Sequence, residues 1–247
     1  MLCGSMAIYY VNPRETTPLP EANASRLLLG DCVDRLAEVA DNSIDCILTD
    51  PPYGFNYLSR SKTLPKVRIA NDRFEAYPLL DRTLAAASPK LKDGSWVFVF
   101  TNWQCYASME DIIRRYFPIK NVLIWEKNAW SRGDLKGNWG YQYEMVIAAR
   151  KGETRLRRFL HGKREGNILR FKKVPTHTMQ HPTEKPPELL KYLIEKTTSA
   201  GETVLDMFMG SGTTGVAARE CDRAFIGIEL EKVWFDVAAK RLGVAAL

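Results

Sequence analysis

Histidine is scarce in this 247-residue chain, with only His161, His177 and His181, and the five cysteines, Cys3, Cys32, Cys46, Cys105 and Cys221, form no C-x-x-C pair. Their odd number and wide scatter argue against a disulfide framework and a zinc site, so reduced thiols and no structural metal are expected. No stretch reaches the roughly 18 uninterrupted apolar residues of a membrane span. The N-terminus, with Pro13, Arg14, Glu15, Pro18 and Pro20, has no apolar signal-peptide run. A cytoplasmic protein with no membrane partner is expected. Internal repeats and low-complexity segments are also missing.

What is present is enough apolar residue, 45%, to bury one substantial core, and a single domain over residues 1–247 is expected. The net charge of +6 is unevenly placed. Between Arg150 and Lys173 ten bases stand against two acids, so this segment nets +8 while the remainder is slightly acidic. A concentrated basic block favours a polyanionic partner, because each phosphate neutralised releases condensed counterion. A solvated charged loop would show the same count.

Apolar runs bounded by turn residues alternate with helical patterns. Arg26 to Leu29 and Ile44 to Leu48 read as strands around a short helix from Val33 to Ala40. Leu79 to Leu91 reads as helix, Trp96 to Phe100 as strand, Trp103 to Tyr116 as helix, and Asn121 to Trp125 and Tyr143 to Ala149 as strands. After the basic segment come a helix at Pro186 to Thr198, a strand at Thr203 to Asp206, a helix at Thr213 to Cys221, a strand at Ala224 to Ile228 and a helix at Glu231 to Leu242. This order predicts an α/β fold, a sheet with helices on both faces. Long unpatterned stretches at 1–25, 54–75, 127–141 and 150–182 read as functional loops or disorder.

Gly210-Ser211-Gly212-Thr213-Thr214-Gly215 follows the strand Val204-Leu205-Asp206 and opens a helix, in the strand-turn-helix context that G-x-G-x-x-G requires. Glu229, 19 positions after Gly210, ends the next strand, where an acid can accept both ribose hydroxyls of a nucleoside cofactor. Asp206, where the chain enters the turn, would repel a pyrophosphate and attract the cationic amino end of S-adenosylmethionine. A purely structural turn would account for the glycines but leave Asp206 and Glu229 coincidental. The glycine motif comes late in the chain, whereas a nicotinamide-binding fingerprint opens the first βαβ unit.

The strand from Ile44 runs directly into Asp50-Pro51-Pro52-Tyr53-Gly54, delivering a carboxylate to the strand end where open α/β sheets place ligands. Two prolines fix the backbone and remove two N–H donors, so carbonyl acceptors remain beside the aromatic plate of Tyr53. Such a site suits a planar base bearing an amine. An exocyclic base amine shares its lone pair with the ring; hydrogen bonds accepted by the Asp50 carboxylate and the Pro51 carbonyl would free that pair for direct attack on a sulfonium methyl. Asp50 need not be a strong base, since the amine turns acidic only once methylated. A target inside a duplex must be flipped out to reach the pocket and stack on Tyr53. A capped Pro-Pro turn is the bland reading of the tetrapeptide taken alone.

These residues resemble the amino-methyltransferases of DNA, specifically the permuted β group in which the catalytic tetrapeptide precedes the cofactor loop. The likeness is carried by Leu29-Gly30-Asp31-Cys32, Thr49 to Gly54, His181-Pro182-Thr183-Glu184-Lys185-Pro186, Asp206 to Thr214 and Gly227-Ile228-Glu229, and runs from about Arg26 to Leu242. It implies a Rossmann-like S-adenosylmethionine-dependent methyltransferase fold with a mixed, mostly parallel sheet. It also implies cofactor contacts by Asp31 near the adenine, Thr183 and Lys185 near the carboxylate, Phe208, Gly210, Ser211, Gly212 and Thr213 around the methionine, and Glu229 on the ribose, with Asp50 at the junction with the target. Capping by Asp31 and simple exposure of Lys185 are the alternatives, and His181 is given no catalytic role. An Asp at the first tetrapeptide position is commoner in adenine N6 enzymes and Ser in cytosine N4 enzymes, with exceptions.

The resemblance puts a target-recognition insertion at about 127–180, over the basic block. Arg155, Arg157, Arg158, Lys163, Arg164, Arg170, Lys172 and Lys173 would contact mainly the phosphates of double-stranded DNA, with one or two arginines reading guanine edges. Arg60, Lys62, Lys66, Arg68 and Arg73, interleaved with Tyr57 and Phe74, form a second basic stretch that could close over a flipped base. Trp125, Trp130 and Trp139 could stack on a base or pack in the core. The resemblance also points to a bacterial or phage source and is compatible with a homodimer and a cognate restriction endonuclease. Rival readings are an RNA or protein-amide methyltransferase, a nicotinamide-dependent oxidoreductase, and an inactive DNA-binding module.

Overall fold

Ile44–Thr49 is buried along all six of its residues, as a parallel strand covered on both faces requires. In the computed structural model, which describes residues 24–56, 70–130, 136–152, 160–175 and 177–244, it is the second strand of an eight-stranded sheet. The elements in chain order are β1 (Ser25–Leu29), α1 (Cys32–Leu36), β2 (Ile44–Thr49), α2 (Ala76–Ala87), β3 (Leu91–Thr101), α3 (Tyr106–Arg114), β4 (Ile119–Glu126) and β5 (Tyr143–Arg150). They continue with β6 (Ile168–Arg170), α4 (Pro187–Thr197), β7 (Thr203–Asp206), α5 (Thr213–Glu220), β8 (Ala224–Glu229) and α6 (Lys232–Leu242).

The sheet order is β1-β8-β7-β2-β3-β5-β4-β6, and among these strands only β5 runs against its neighbours. The C-terminal ends of seven strands and the N-terminal end of β5 therefore share one edge. Alternation along the strands divides the core in two. Ile47, Val97, Val99, Ile147 and Leu205 face α2 and α3, packing on Leu80, Leu84, Met109 and Ile113. Cys46, Leu48, Phe98, Phe100, Val146 and Val204 face α4, α5 and α6, packing on Leu189, Leu193, Ala217 and Ala238. The expected sheet with helices on both faces is what forms, and no helix among the described residues is long and apolar enough to cross a membrane.

Element ends shift for local reasons. The helix expected to reach Leu91 stops at Ala87, because Pro89 imposes a 3₁₀ turn over Ser88–Lys90 and Leu91 already belongs to β3. The helix expected from Trp103 starts at Tyr106, after the Asn102 side chain accepts from the N–H groups of Gln104 and Cys105 at 2.9 and 3.1 Å. The stretch 127–180 contains β5, wedged between β3 and β4, and the unexpected edge strand β6, so much of it is framework.

One polar residue interrupts β2. Asp45, 1% exposed, accepts from Lys92 Nζ at 2.9 Å and from the Thr203 N–H at 2.9 Å, joining β3 and β7 to the strand between them. Asp45→Ala would leave a buried N–H and an ammonium without their acceptor, an expected loss of about 3 kcal/mol. Urea unfolding measures it; an unchanged midpoint would show that the carboxylate contributes nothing net.

Candidate active site

The shared edge opens into one cavity of about 600 Å³, within the range of ligand pockets. Its walls bring together residues from β2, β7 and β8, the segment before α4 and the start of β5, which lie up to about 180 positions apart in sequence. Asp50, Pro51, Pro52 and Tyr53 occupy the middle. Asp31, Thr183, Asp206, Phe208, Gly210, Ser211, Thr213 and Glu229 line one half, while Phe100, Trp125, Lys127, Glu144 and Lys185 line the other.

The tetrapeptide is held from below. The Tyr53 carbonyl accepts from Cys105 Sγ at 3.2 Å and Tyr77 Oη at 3.5 Å, and buried Asp72 accepts from the N–H groups of Gly54 and Phe55 at 2.6 and 3.2 Å. Gly54, at φ +86°, makes the turn that this pinning needs. Above it, Asp50 Oδ1 accepts from Tyr53 Oη at 2.7 Å and Oδ2 accepts from Lys185 Nζ. Burial raises the Asp50 pKa, with Lys185 opposing the shift and Glu144 adding to it. Burial raises Tyr53 well above the usual phenol range, so its hydroxyl keeps its proton and donates.

Sequence reasoning missed Glu144. Its Oε1 accepts from Lys127 Nζ at 2.5 Å and its Oε2 lies 3.4 Å from Lys185 Nζ. Burial pushes Glu144 up, but the Lys185 and Lys127 ammonium groups outweigh it and leave the pKa below the usual carboxylate range. Four charges thus alternate through the base-side half: Asp50, Lys185, Glu144, Lys127. Only the register of β5 against β4, which pairs Trp125 with Glu144, puts Glu144 there. Lys185 is therefore engaged by two carboxylates of this chain, in place of the free cation expected for a cofactor carboxylate.

In the other half, Glu229 accepts from the Gly210 N–H at 2.9 Å and the Glu231 N–H at 2.8 Å, and burial pushes its pKa up to about 7. The Gly210 amide is thereby spent on a carboxylate, and the Gly212 amide on the Met209 carbonyl at 2.9 Å, so neither is left for a pyrophosphate. Asp206 has contacts that the sequence did not reveal. It borders the cavity, but its carboxylate already accepts from Thr49, Thr214 and the Phe208 N–H at 2.8, 2.6 and 3.1 Å, tying β2 to β7 and shaping the turn. Burial brings its pKa to about 6. Gly212 also differs from expectation: outside the cavity lining, at φ +77°, it caps α5 where a Cβ would stand 2.9 Å from the Ala238 side chain. Asp31 caps α1 through the Val33 N–H at 2.8 Å and also lines the cavity, so the cap leaves it at the site.

A buried clamp that the sequence did not reveal closes this half. Glu184 accepts from Thr213 Oγ1 at 3.0 Å and pairs with Arg241 at 2.9 Å, while Arg241 also donates to the Ser211 carbonyl and hydroxyl at 3.1 and 3.0 Å. It ties the segment before α4 to the glycine turn and α6. His181 packs edge-on against Trp234 at 4.4 Å; burial lowers its pKa to about 4, with nearby Lys185 adding to the shift, so it is neutral at physiological pH.

The basic block does not line the cavity uniformly. Lys173 reaches its rim, and Arg170, at the end of β6, pairs with Glu126 at 3.0 Å. Lys172 is exposed. Lys163 and Arg164 follow His161, whose carbonyl, like that of Lys163, accepts from Lys196 at the far end of α4, about 9 Å along the helix from Leu190 at the cavity. Arg155, Arg157 and Arg158 lie outside the described residues, as do Tyr57, Arg60, Lys62, Lys66 and Arg68. Trp125 is buried and donates to the Phe171 carbonyl at 2.8 Å, whereas Trp130 and Trp139 are exposed.

Known proteins resemble this chain in sequence and in fold. The type II methyltransferase M2.MboI of Moraxella bovis is 29% identical over 232 residues, covering 86% of this chain and 85% of its own. The DNA adenine methyltransferase YhdJ of Escherichia coli K12 is 27% identical over 255 residues, covering 90% and 84%. Among solved structures, the complex of M1.HpyAVI with SAM superposes with a TM-score of 0.68 at 24% identity, over 88% of this chain and 99% of that one. The pattern of the DNA methylase family matches residues 44–240, from the strand that carries Asp50 to the helix that carries Arg241, and the chain is a member of that family.

Proposed function

We propose that the chain is a site-specific DNA methyltransferase that uses S-adenosylmethionine to methylate the exocyclic N6 amine of adenine in double-stranded DNA. The observation that carries this reading is the single cavity in which Asp50 stands between a carboxylate-rich cofactor half and an aromatic, charged base half. The cofactor half fits S-adenosylmethionine by its donor set: Glu229 retains lone pairs for ribose hydroxyls, and the glycine-turn amides at 210 and 212 are already spent. Phe208, Gly210, Ser211, Thr213 and Thr183 would surround the methionine part, with Asp31 near the adenine. When bound, the cofactor supplies a sulfonium methyl group open to direct displacement by an amine.

The chain's own residues do the rest. Asp50 and the Pro51 carbonyl accept the amine hydrogens, which localises the nitrogen lone pair, and Asp50 is placed to hold the proton that the methylated amine sheds. Tyr53 offers a ring face for the base. Asp50 lies within a pocket lined by buried Phe100 and Trp125, which an amine stacked in a duplex cannot enter, so the base is flipped. Lys173 and Lys127 at the cavity, with the loops on either side of β5, would meet the DNA backbone, so the recognition region is built on the one catalytic domain. Adenine is supported by Asp at the first tetrapeptide position and by the adenine-specific name of the Escherichia coli relative. The family resemblance extends the reading to a cytoplasmic setting, a cognate restriction endonuclease and a homodimer.

Modified-base mapping of DNA from cells expressing the protein tests the proposal. N6-methyladenine at one recurrent sequence is expected; N4-methylcytosine alone would reassign the base, and unmodified DNA with methylated RNA would overturn the substrate.

A further inference from the structure

Both oxygens of Asp50 are engaged by donors of this chain, Oδ1 by Tyr53 Oη at 2.7 Å and Oδ2 by Lys185 Nζ. Each oxygen keeps a further lone pair, but a carboxylate paired with an ammonium is the weaker acceptor, so a target amine competes with these donors for Asp50. Tyr53 donates from three residues along the same turn; Lys185 comes from the separate segment before α4 and has somewhere else to go. Glu144 Oε2, with no hydrogen-bond partner among the described residues, lies 3.4 Å from Lys185 Nζ. Charge-assisted N–H···O bonds close at about 2.7–2.9 Å, so a shift of roughly 0.6 Å would transfer the ammonium to Glu144.

We infer that Glu144 is a positioning residue that receives the Lys185 ammonium when the target amine takes its place on Asp50. The inference rests on the proposed amine methylation. Lys185 caps Asp50 and keeps that buried carboxylate compensated; Glu144 gives the cation a second seat, so the base arrives without stranding a buried charge. Lys127 Nζ, 2.5 Å from Glu144 Oε1, balances the second carboxylate, which keeps the four groups neutral in sum. The groups facing Asp50 are Lys185 before α4, Tyr53 on its own loop, Glu144 on β5 and Asp206 on β7; those facing Lys185 are Asp50, Glu144 and neutral His181. Without Glu144, Lys185 would have Asp50 as its only carboxylate and would hold it closed.

The direction of a pH shift separates this role from simple packing. Glu144 raises the Asp50 pKa by repulsion, so Glu144→Gln is expected to move the acid limb of kcat/KM to lower pH while the rate at neutral pH falls at least about tenfold. A packing defect has no reason to shift that limb downward. Lys185→Met supplies the second readout: with no cation to receive, Glu144→Gln should cost less than about threefold in that background. S-adenosylmethionine titration reports whether each variant keeps its cofactor half. If Glu144→Gln fails to fold, Glu144→Asp, which keeps the charge but draws the oxygen back by one methylene, carries the rate comparison with Lys185→Met alone, since the retained charge leaves the acid limb in place.

A loss in Glu144→Gln that is equally large with Lys185→Met, or an acid limb that stays or moves up, overturns the inference. Where Lys185→Met leaves no measurable turnover, affinity for target DNA replaces rate in the same comparison. Wild-type protein that methylates no adenine would instead sink the underlying reading, whatever the variants do.

Discussion

Asp50→Ala is expected to lower methyl transfer by about 10³-fold while leaving S-adenosylmethionine affinity within about threefold of wild type. The size follows from what the carboxylate does. In the proposed reaction it accepts from the target amine, localises the lone pair and stabilises the positive charge that develops on nitrogen, in a pocket lined by buried Phe100 and Trp125. Cofactor binding should survive because the groups assigned to it stand on other elements, Glu229 on β8 and Thr213 at the start of α5. Lys185 also keeps a partner, since Glu144 is already beside it. Single-turnover transfer from radiolabelled cofactor to duplex DNA, with calorimetric titration of the cofactor, makes the measurement. Turnover within tenfold of wild type would remove Asp50 from the chemistry, and a parallel collapse of cofactor binding would make its role structural.

The second large effect is expected at Glu229. Hydrogen bonds to a charged acceptor contribute about 1.5–3 kcal/mol each, so losing two ribose hydroxyl contacts in Glu229→Ala should weaken cofactor binding about a hundredfold or more. The wild type should carry a pH signature at the same place. Burial holds Glu229 near pKa 7 in the free protein, and the ionised form is the better acceptor, so cofactor affinity should fall as pH drops through about 7. Stability has the opposite slope. The folded state holds this proton from the ordinary value of 4.5 up to about 7, so the contribution is full below 4.5 and is lost as pH rises to about 7. It amounts to at most about 3 kcal/mol. Glu229→Gln should flatten both profiles. A flat wild-type affinity between pH 6 and 8 would place the ribose elsewhere.

Much of the fold was written in local pattern. The strand ending at Thr49, the strand Thr203–Asp206 and the helix opening at Thr213 were legible because each is a run of residues suited to burial and bounded by turn residues. β6 was not, since its three residues bury only Leu169 and sit in a segment rich in charge. The places of the Asp50 to Tyr53 tetrapeptide, the glycine turn and Glu229 at one cavity were likewise readable, because each combines a chemical group with the strand end that presents it.

The contacts between those groups belong to the tertiary structure. Glu144 looks like any strand acid until β5 is inserted antiparallel between β3 and β4 and its N-terminal end meets the C-terminal ends of the other strands. Lys185 pairs with Asp50, 135 positions away in sequence. Asp206 looked outward in sequence and turned inward in space, held by Thr49 and Thr214. The chemical groups for amine methylation and the strand ends that carry them are local properties, fixed by residue type and backbone conformation. Which charge faces which is a product of strand order and register, because electrostatic pairing depends on distance in space, which no spacing along the chain encodes.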